Sequence, residues 1–285
     1  MNWIESISKA IEYIEENITE DIHIDDISKH AYISSFYFQK GFSMLCGYTI
    51  SEYIRNRKLS LAGKDLMHSD TKIIDIALKY GYDSPDSFTK AFTRFHGVTP
   101  TAVRKKGATI KEFVPLKVSF NLKGGYTMEY RIEEKDAFNV IGLSKTIKYE
   151  TAYDEVPKVW KSFFMKSTFK NINAKYGINI DSEMGCNEFE YMIGDDYDSR
   201  VKIPKGFIIR EIPKYTWAIF PCIGPANKSI KETNEKIFKE WLPNSNNYEI
   251  ADGYNIEMYS NPKDYKNGVD DEKYYCEIWI PIKKK

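Results

Sequence analysis

The sequence predicts a multidomain chain: an all-α tandem helix-turn-helix domain followed by an α+β domain in which helices back an antiparallel sheet. Three observations predict it. A helix-turn-helix pattern occurs twice early in the chain, the periodicity turns from helical to alternating after the basic run Arg104–Lys106, and a unit of strands plus one helix then occurs twice. The 285 residues suffice for two cores, which we place at 1–107 and 127–285 with a linker over 108–126.

The second copy of the helical pattern is the clearer one. In Ser84–Pro100 (SPDSFTKAFTRFHGVTP), Ser84 has the character of an N-cap, and Pro85 stands at the first helical position, where a missing N–H costs nothing. Phe88, Phe92 and Phe95 make one apolar stripe with Ala91 beside it, while Asp86, Lys90 and Arg94 recur on the opposite face. Gly97 suits the position just past the helix, and Thr99-Pro100 opens the next one. Upstream, Phe38, Phe42, Leu45, Lys40, Gly47 and Thr49 repeat the spacing of Phe88, Phe92, Phe95, Lys90, Gly97 and Thr99. A shorter amphipathic helix precedes each copy, Ile24–Tyr32 and Ile73–Gly81, so each second helix is the one able to enter a major groove. Thr49 and Glu52 form a capping box that starts a spacer helix ending near His68.

Net charge is zero, but its distribution is polarised. Residues 1–26 hold eight acids and one lysine, residues 27–64 six Lys/Arg against Glu52, and residues 87–107 five Lys/Arg and no acid. Basic side chains thus gather where nucleic acid would be met. The four cysteines (Cys46, Cys186, Cys222, Cys276) lack C-x-x-C spacing and suit a reduced, cytosolic chain, and the four histidines lack metal-ligand spacing and are expected at surfaces or turns. No signal peptide or membrane span is seen, and no cofactor or metal is expected.

Helix geometry assigns roles. Opposite Phe38 and Phe42 lie Ser35, Phe36, Gln39 and Lys40; opposite Phe88 and Phe92 lie Asp86, Ser87, Lys90 and Arg94. Gln39 can bond an adenine edge, Lys40 and Lys90 can reach guanine or phosphate, and Phe36 can press on a thymine methyl. Asp86 can accept from cytosine N4 or simply stabilise the helix dipole. Arg55, Arg57 and Lys58 are expected to position the DNA backbone or support the linker.

Beyond the connector the strands are MEYRIEEK, FNVIGLSKT, NEFEYMIG, FIIREIP, YTWAIFP, NIEMYS and YYCEIWIPI, with helices over about Tyr153–Tyr176 and Ala226–Trp241. RIEEKDAFNVIG corresponds to REIPKYTWAIFP, and Trp160 to Trp241, which suggests a pseudo-twofold duplication. Such a sheet, covered by helices on one side, leaves the other free to hold a ligand. In the last strand Cys276, Ile278, Ile280 and Ile282 share one face, and Tyr275, Glu277 and Trp279 the other. A carboxylate between aromatic rings suits an organic cation, with Glu257, Tyr259, Tyr191 and Trp217 as further contributors; the alternative is an edge strand whose Glu277 faces water. Burying Glu277 unpaired would raise its pKa, and a cation would relieve that cost.

Residues 1–106 resemble the DNA-binding domain of the AraC/XylS family of bacterial transcription regulators, on DDISKHAYISSFYFQKGF, GYTISEYIRNRKL and IIDIALKYGYDSPDSFTKAFTRFHGVTP. That resemblance implies two recognition helices in successive major grooves, with base contacts at the helical positions named above. Residues from about 113 to 282 resemble the GyrI-like effector-binding domain, on YRIEEKDAFNVIGLSKT, YTWAIFPCIGP and CEIWIPIKK. It implies an amphipathic, often cationic effector anchored by the acid matching Glu277, and the domain order resembles the Rob-type regulators. The expected function is therefore a cytoplasmic, effector-controlled transcription activator, with double-stranded DNA, a small molecule and RNA polymerase as partners and no membrane. The alternative is a hydrolase or sequestering protein for toxic small molecules, with Glu257 and Glu277 as acid and base and an autoregulatory DNA-binding domain.

Overall fold

A computed structural model of the chain describes residues 3–105, 108–118, 127–165, 172–181, 188–200, 202–245 and 247–285. The helical half runs α1 (Trp3–Glu16), α2 (Ile24–Ala31), α3 (Ser35–Cys46), α4 (Ile50–His68), α5 (Ile73–Lys79), α6 (Pro85–His96) and α7 (Pro100–Val103). The sheet half runs β1 (Arg131–Lys135), β2 (Phe138–Lys148), α8 (Ala152–Met165), β3 (Tyr176–Ile180), β4 (Glu188–Asp196), β5 (Ile208–Ile212), β6 (Tyr215–Ile223), α9 (Ala226–Lys236), α10 (Leu242–Asn244), β7 (Tyr248–Ile250), β8 (Tyr254–Tyr259) and β9 (Tyr275–Lys284). A π turn at Ile237–Trp241 joins α9 to α10.

Local chemistry sets the helix ends. Ser34 Oγ accepts from the Tyr37 amide and Ser84 Oγ from the Ser87 amide, while Gly47 and Gly97 close the two helices at φ +79° and +81°, where a Cβ would be strained. The Thr49–Glu52 capping box forms in both directions and starts α4. Arg57 turns inward rather than toward DNA: its guanidinium grips Glu15 of α1 at 2.7 Å and donates to the Phe113 carbonyl at 2.5 Å. Tyr53 completes this buried knot by donating to Glu15 and accepting from the Leu116 amide. His96, expected at a surface or turn, is buried: its Nε2 lies 2.9 Å from the Leu59 carbonyl, and Nδ1 faces the Lys111 amide at 3.1 Å.

The strands form one sheet in the order β1-β6-β9-β8-β3-β4-β2-β5, with β7 on the far end of β9. Two equivalent trios, β2-β4-β3 and β6-β9-β8, meet at β3 and β8. Each unit lends its first strand to the other: β1 pairs with β6, and β5 with β2. The expected helix over Tyr153–Tyr176 is too long, because residues 172–175 are not helical and Tyr176 opens β3; residues 166–171 lie outside the described residues. Short apolar runs such as this one do not distinguish strand from helix by period.

α8 packs over β2 and β4, and α9 over β6 and β9, on one side of the sheet. The other side is not free, contrary to expectation. The sheet curls, and Trp217, Trp279, Ile178, Met192 and Ile256 fill that concave side as a core of their own, with Phe138, Tyr176 and Trp217 all in ring contact with Trp279. On the helix side, a single apolar cluster runs from Ile14, Tyr37, Phe38 and Phe42 of the helical half to Phe220, Phe238 and Ile278 of the sheet half.

Candidate functional site

On α6 the expected division holds. Phe88 and Phe92 are fully buried against α4 and α5, and Asp86, Ser87, Lys90 and Arg94 are all exposed on the outer face. This face is open to a duplex. On α3 the corresponding face is covered. Ser35 and Phe36 are buried, and Gln39 and Lys40 are half-buried: the sheet half sits on Phe36 and Lys40, while Ser35 donates its hydroxyl to Ser28 of α2.

The covering contacts are specific. The Phe36 amide, an orphan donor in the first turn of α3, donates to Asp181 Oδ2 at 2.8 Å. Tyr37 donates its hydroxyl to the Tyr254 carbonyl at 2.5 Å, and Lys40 Nζ donates to Asn255 Oδ1 at 3.0 Å. The Phe36 ring meets Phe189 at 5.9 Å and Tyr149 at 6.3 Å, and the Lys40 ammonium lies 5.3 Å from the Phe36 ring and 6.0 Å from that of Phe238. Gly41 permits this approach, since a Cβ there would stand 2.1 Å from the Trp3 ring and 2.9 Å from Phe238. The Gln39 amide nitrogen finds no partner among the described residues.

The seven residues expected to form the ligand site divide between the two sides of the sheet, with Tyr259 sharing a face of β8 with Glu257. Tyr275, Glu277 and Trp279 do share the concave side, with Trp217 next to Trp279. Glu257 and Tyr191 do not join them: Glu257 is opposite Gly177 and Ile278 in register, which places it on the helix side, and Tyr191 lies there as well, hydrogen-bonded to Trp160 of α8. Glu257 and Glu277 cannot act as acid and base across one substrate.

Glu277 is buried but already paired. Arg131 Nη1 lies at 2.8 Å, Tyr275 donates at 2.6 Å and Trp279 Nε1 at 2.6 Å, so both carboxylate oxygens are satisfied within the chain. Burial pushes its pKa up, but Arg131 and the two hydrogen bonds outweigh that and hold it below the ordinary carboxylate value, the reverse of the expected shift. The pairing with Arg131 was missed because a β1 residue reaches β9 only through the strand exchange.

The helix side carries a second carboxylate set among aromatic rings. Glu257 accepts from Tyr259 at 2.8 Å, Trp160 meets the Tyr259 ring at 5.1 Å, and Trp160 donates to the Tyr191 hydroxyl at 2.7 Å. Gly177 makes room for this aromatic wall, since a Cβ there would stand 2.7 Å from the Tyr191 hydroxyl. Burial lowers the Lys40 pKa, and the nearby Glu257 carboxylate opposes that shift, so the ammonium feels the acid. Trp160, Asn255 and Asp181 are further candidates that strand and helix periodicity does not single out, because their contacts join distant parts of the chain.

Comparison with known proteins follows this division. Residues 131–282 match the profile of the integron-associated effector binding protein family, and residues 27–106 that of the helix-turn-helix domain. The HTH-type transcriptional activator AarP of Providencia stuartii is 38% identical over 98 residues, covering 34% of this chain and 73% of AarP. Regulatory protein SoxS of Escherichia coli K12 is 34% identical over 100 residues, covering 35% of this chain and 94% of SoxS. Among solved structures, SAV2435 bound to tetraphenylphosphonium aligns with a TM-score of 0.46 at 18% identity, over 55% of this chain and 94% of that one.

Proposed function

Because this chain belongs to the integron-associated effector binding protein family through residues 131–282 and to the AraC-type helix-turn-helix regulators through residues 27–106, we propose that it activates transcription in response to an amphipathic organic cation. The observation that carries the DNA half of this reading is the outer face of α6, where Ser87, Lys90 and Arg94 stand exposed together with Asp86 while the phenylalanines anchor the helix from behind. Lys90 and Arg94 reach guanine edges or phosphates, and Ser87 a phosphate or base edge, with α3 reading the adjacent groove through Ser35, Phe36, Gln39 and Lys40 once that face is uncovered.

For the effector, the anchor moves from Glu277, which Arg131 neutralises, to Glu257 with Tyr191, Tyr259 and Trp160 around it. A carboxylate ringed by aromatics takes a cation through charge and through the ring faces together. The regulator works in the cytoplasm and acts by contact with RNA polymerase.

The test is selection of bound sequences from random duplex DNA followed by a salt titration of the winner. Two half-sites about one helical turn apart and a steep fall of affinity with salt are expected. Absence of any enriched motif, with and without a cationic ligand, would overturn the regulator reading.

A further inference from the structure

Between α8, which packs on β2 and β4, and α9, which packs on β6 and β9, lies a cleft over β8 that the chain's own recognition helix fills. An ammonium (Lys40), an aromatic ring about it (Phe36) and a second ring beyond (Phe238) sit at Asn255, two positions before Glu257 on the same face of β8, which is the arrangement an aromatic cation would adopt there. The sheet half also offers α3 what a duplex would. Asp181 supplies an anionic oxygen to the first-turn amide of Phe36, as a phosphate does at a helix N-terminus, and the Asn255 amide oxygen takes the Lys40 ammonium, as a guanine O6 would. The fit is incomplete, because Gln39, suited to an adenine edge, keeps a buried amide nitrogen without a partner among the described residues.

We propose that α3 and the effector are rivals for one seat: the Phe36–Lys40 face of α3 plugs the Glu257 cleft, and an aromatic ammonium that displaces Lys40 frees that face to read DNA. This rests on the effector reading of the sheet half given above. The coupling has a defined sign. The ligand binds only the open state and DNA engages α3 only in the open state, so each must strengthen the other. The ligand class follows from the plug itself, a cation a few ångströms from an aromatic ring. In the closed state α6 alone faces solvent, so DNA meets one helix-turn-helix unit instead of two.

The experiment uses the full-length chain, 4-phenylbutylammonium as probe, 4-phenylbutanol as its neutral counterpart, and the selected duplex. Hydrogen exchange at α3 reports the plug, above all at the Phe36 amide, and exchange at β8 and α8 reports the cleft. The ammonium is expected to raise exchange at Phe36 roughly tenfold or more and to tighten DNA binding by a similar factor, while the alcohol does neither. Duplex alone should raise exchange at β8 and α8, since capturing α3 empties the cleft. A variant with Tyr37→Phe and Phe238→Ala, which leaves the DNA-facing residues of α3 intact, should bind DNA tightly without ligand and gain nothing from it.

Protection of β8 and α8 by the ammonium with α3 still closed and DNA affinity unchanged would overturn the rivalry while leaving the effector reading in place. Equal action of the alcohol would overturn the cationic class. If the double variant does not fold, the effect of duplex on exchange in the wild-type chain decides: no rise at β8 and α8 overturns the proposal.

Discussion

Arg131 Nη1 lies 2.8 Å from Glu277 Oε1, and the two side chains neutralise each other on the concave side of the sheet. Glu277 is therefore a structural acid. Replacing it with Gln leaves one of the Tyr275 and Trp279 donors without a strong acceptor and should cost about 2 kcal/mol in urea unfolding. Its folded pKa lies below the ordinary value of 4.5, so it stabilises the fold above that pH, and the contribution is lost as pH falls from 4.5 through the folded pKa. The Glu277→Gln variant should lack this acid limb.

Glu257 should behave oppositely. Glu257→Gln is expected to weaken binding of an arylalkylammonium roughly tenfold with little change for a neutral analogue, as read by calorimetry. Glu277→Gln should spare both ligands. Equal losses from the two variants would contradict the assignment of the anchor to the helix side.

His96 should make the second helix-turn-helix unit sensitive to mild acid. Its two hydrogen bonds, to the Leu59 carbonyl and from the Lys111 amide, require the neutral ring protonated on Nε2. Burial lowers its pKa from the ordinary 6.5, and the Lys111 charge adds to this. Stability is thus full above 6.5 and falls as pH drops toward the folded value, by up to about 1.4 kcal/mol per pH unit. Asp181, which burial pushes up to about 6, works in the opposite sense below that pH. Comparing wild type with His96→Gln across pH 7 to about 5 in an Asp181→Asn background isolates the histidine.

Arg57 should matter for folding rather than for DNA contact. Arg57→Met leaves Glu15 half-paired and frees the Phe113 carbonyl, which should cost about 3 kcal/mol and release the 108–118 segment. Faster exchange at the Phe113 and Leu116 amides checks the second part, since their acceptors belong to the same knot on α4. Lysine, a point charge without the planar fork, should rescue only partly.

Lys90→Ala and Arg94→Ala should each reduce the salt dependence of DNA binding by about one unit of slope if they meet phosphate, or relax sequence preference at one position by about 1–3 kcal/mol if they meet a base. Neither should move the unfolding midpoint by more than about 0.5 kcal/mol, because both side chains are exposed.

Local rules made the helical half readable. Ser84 and Gly97, or Thr49 with Glu52, act on backbone groups a few residues away, and the Phe88–Phe92 stripe states its own burial. The alternation in β9 correctly separated Cys276 and Ile278 from Glu277 and Trp279. What stayed hidden was long-range. Lys40 meets Asn255 across 215 positions, and no periodicity in α3 distinguishes a face awaiting DNA from a face resting on a sheet. The direction of the sheet's curl, which fills the concave side around Trp279, likewise depends on all its strands at once.

The exchange of β1 and β5 makes the sheet a swapped dimer tied by a single loop. Each duplicated unit holds one strand that belongs on its twin's edge, so a cut between β4 and β5 yields two fragments, neither able to close its own border. Mixed together, they should reassociate, and inside the intact chain the same reciprocity should make both units melt in one transition.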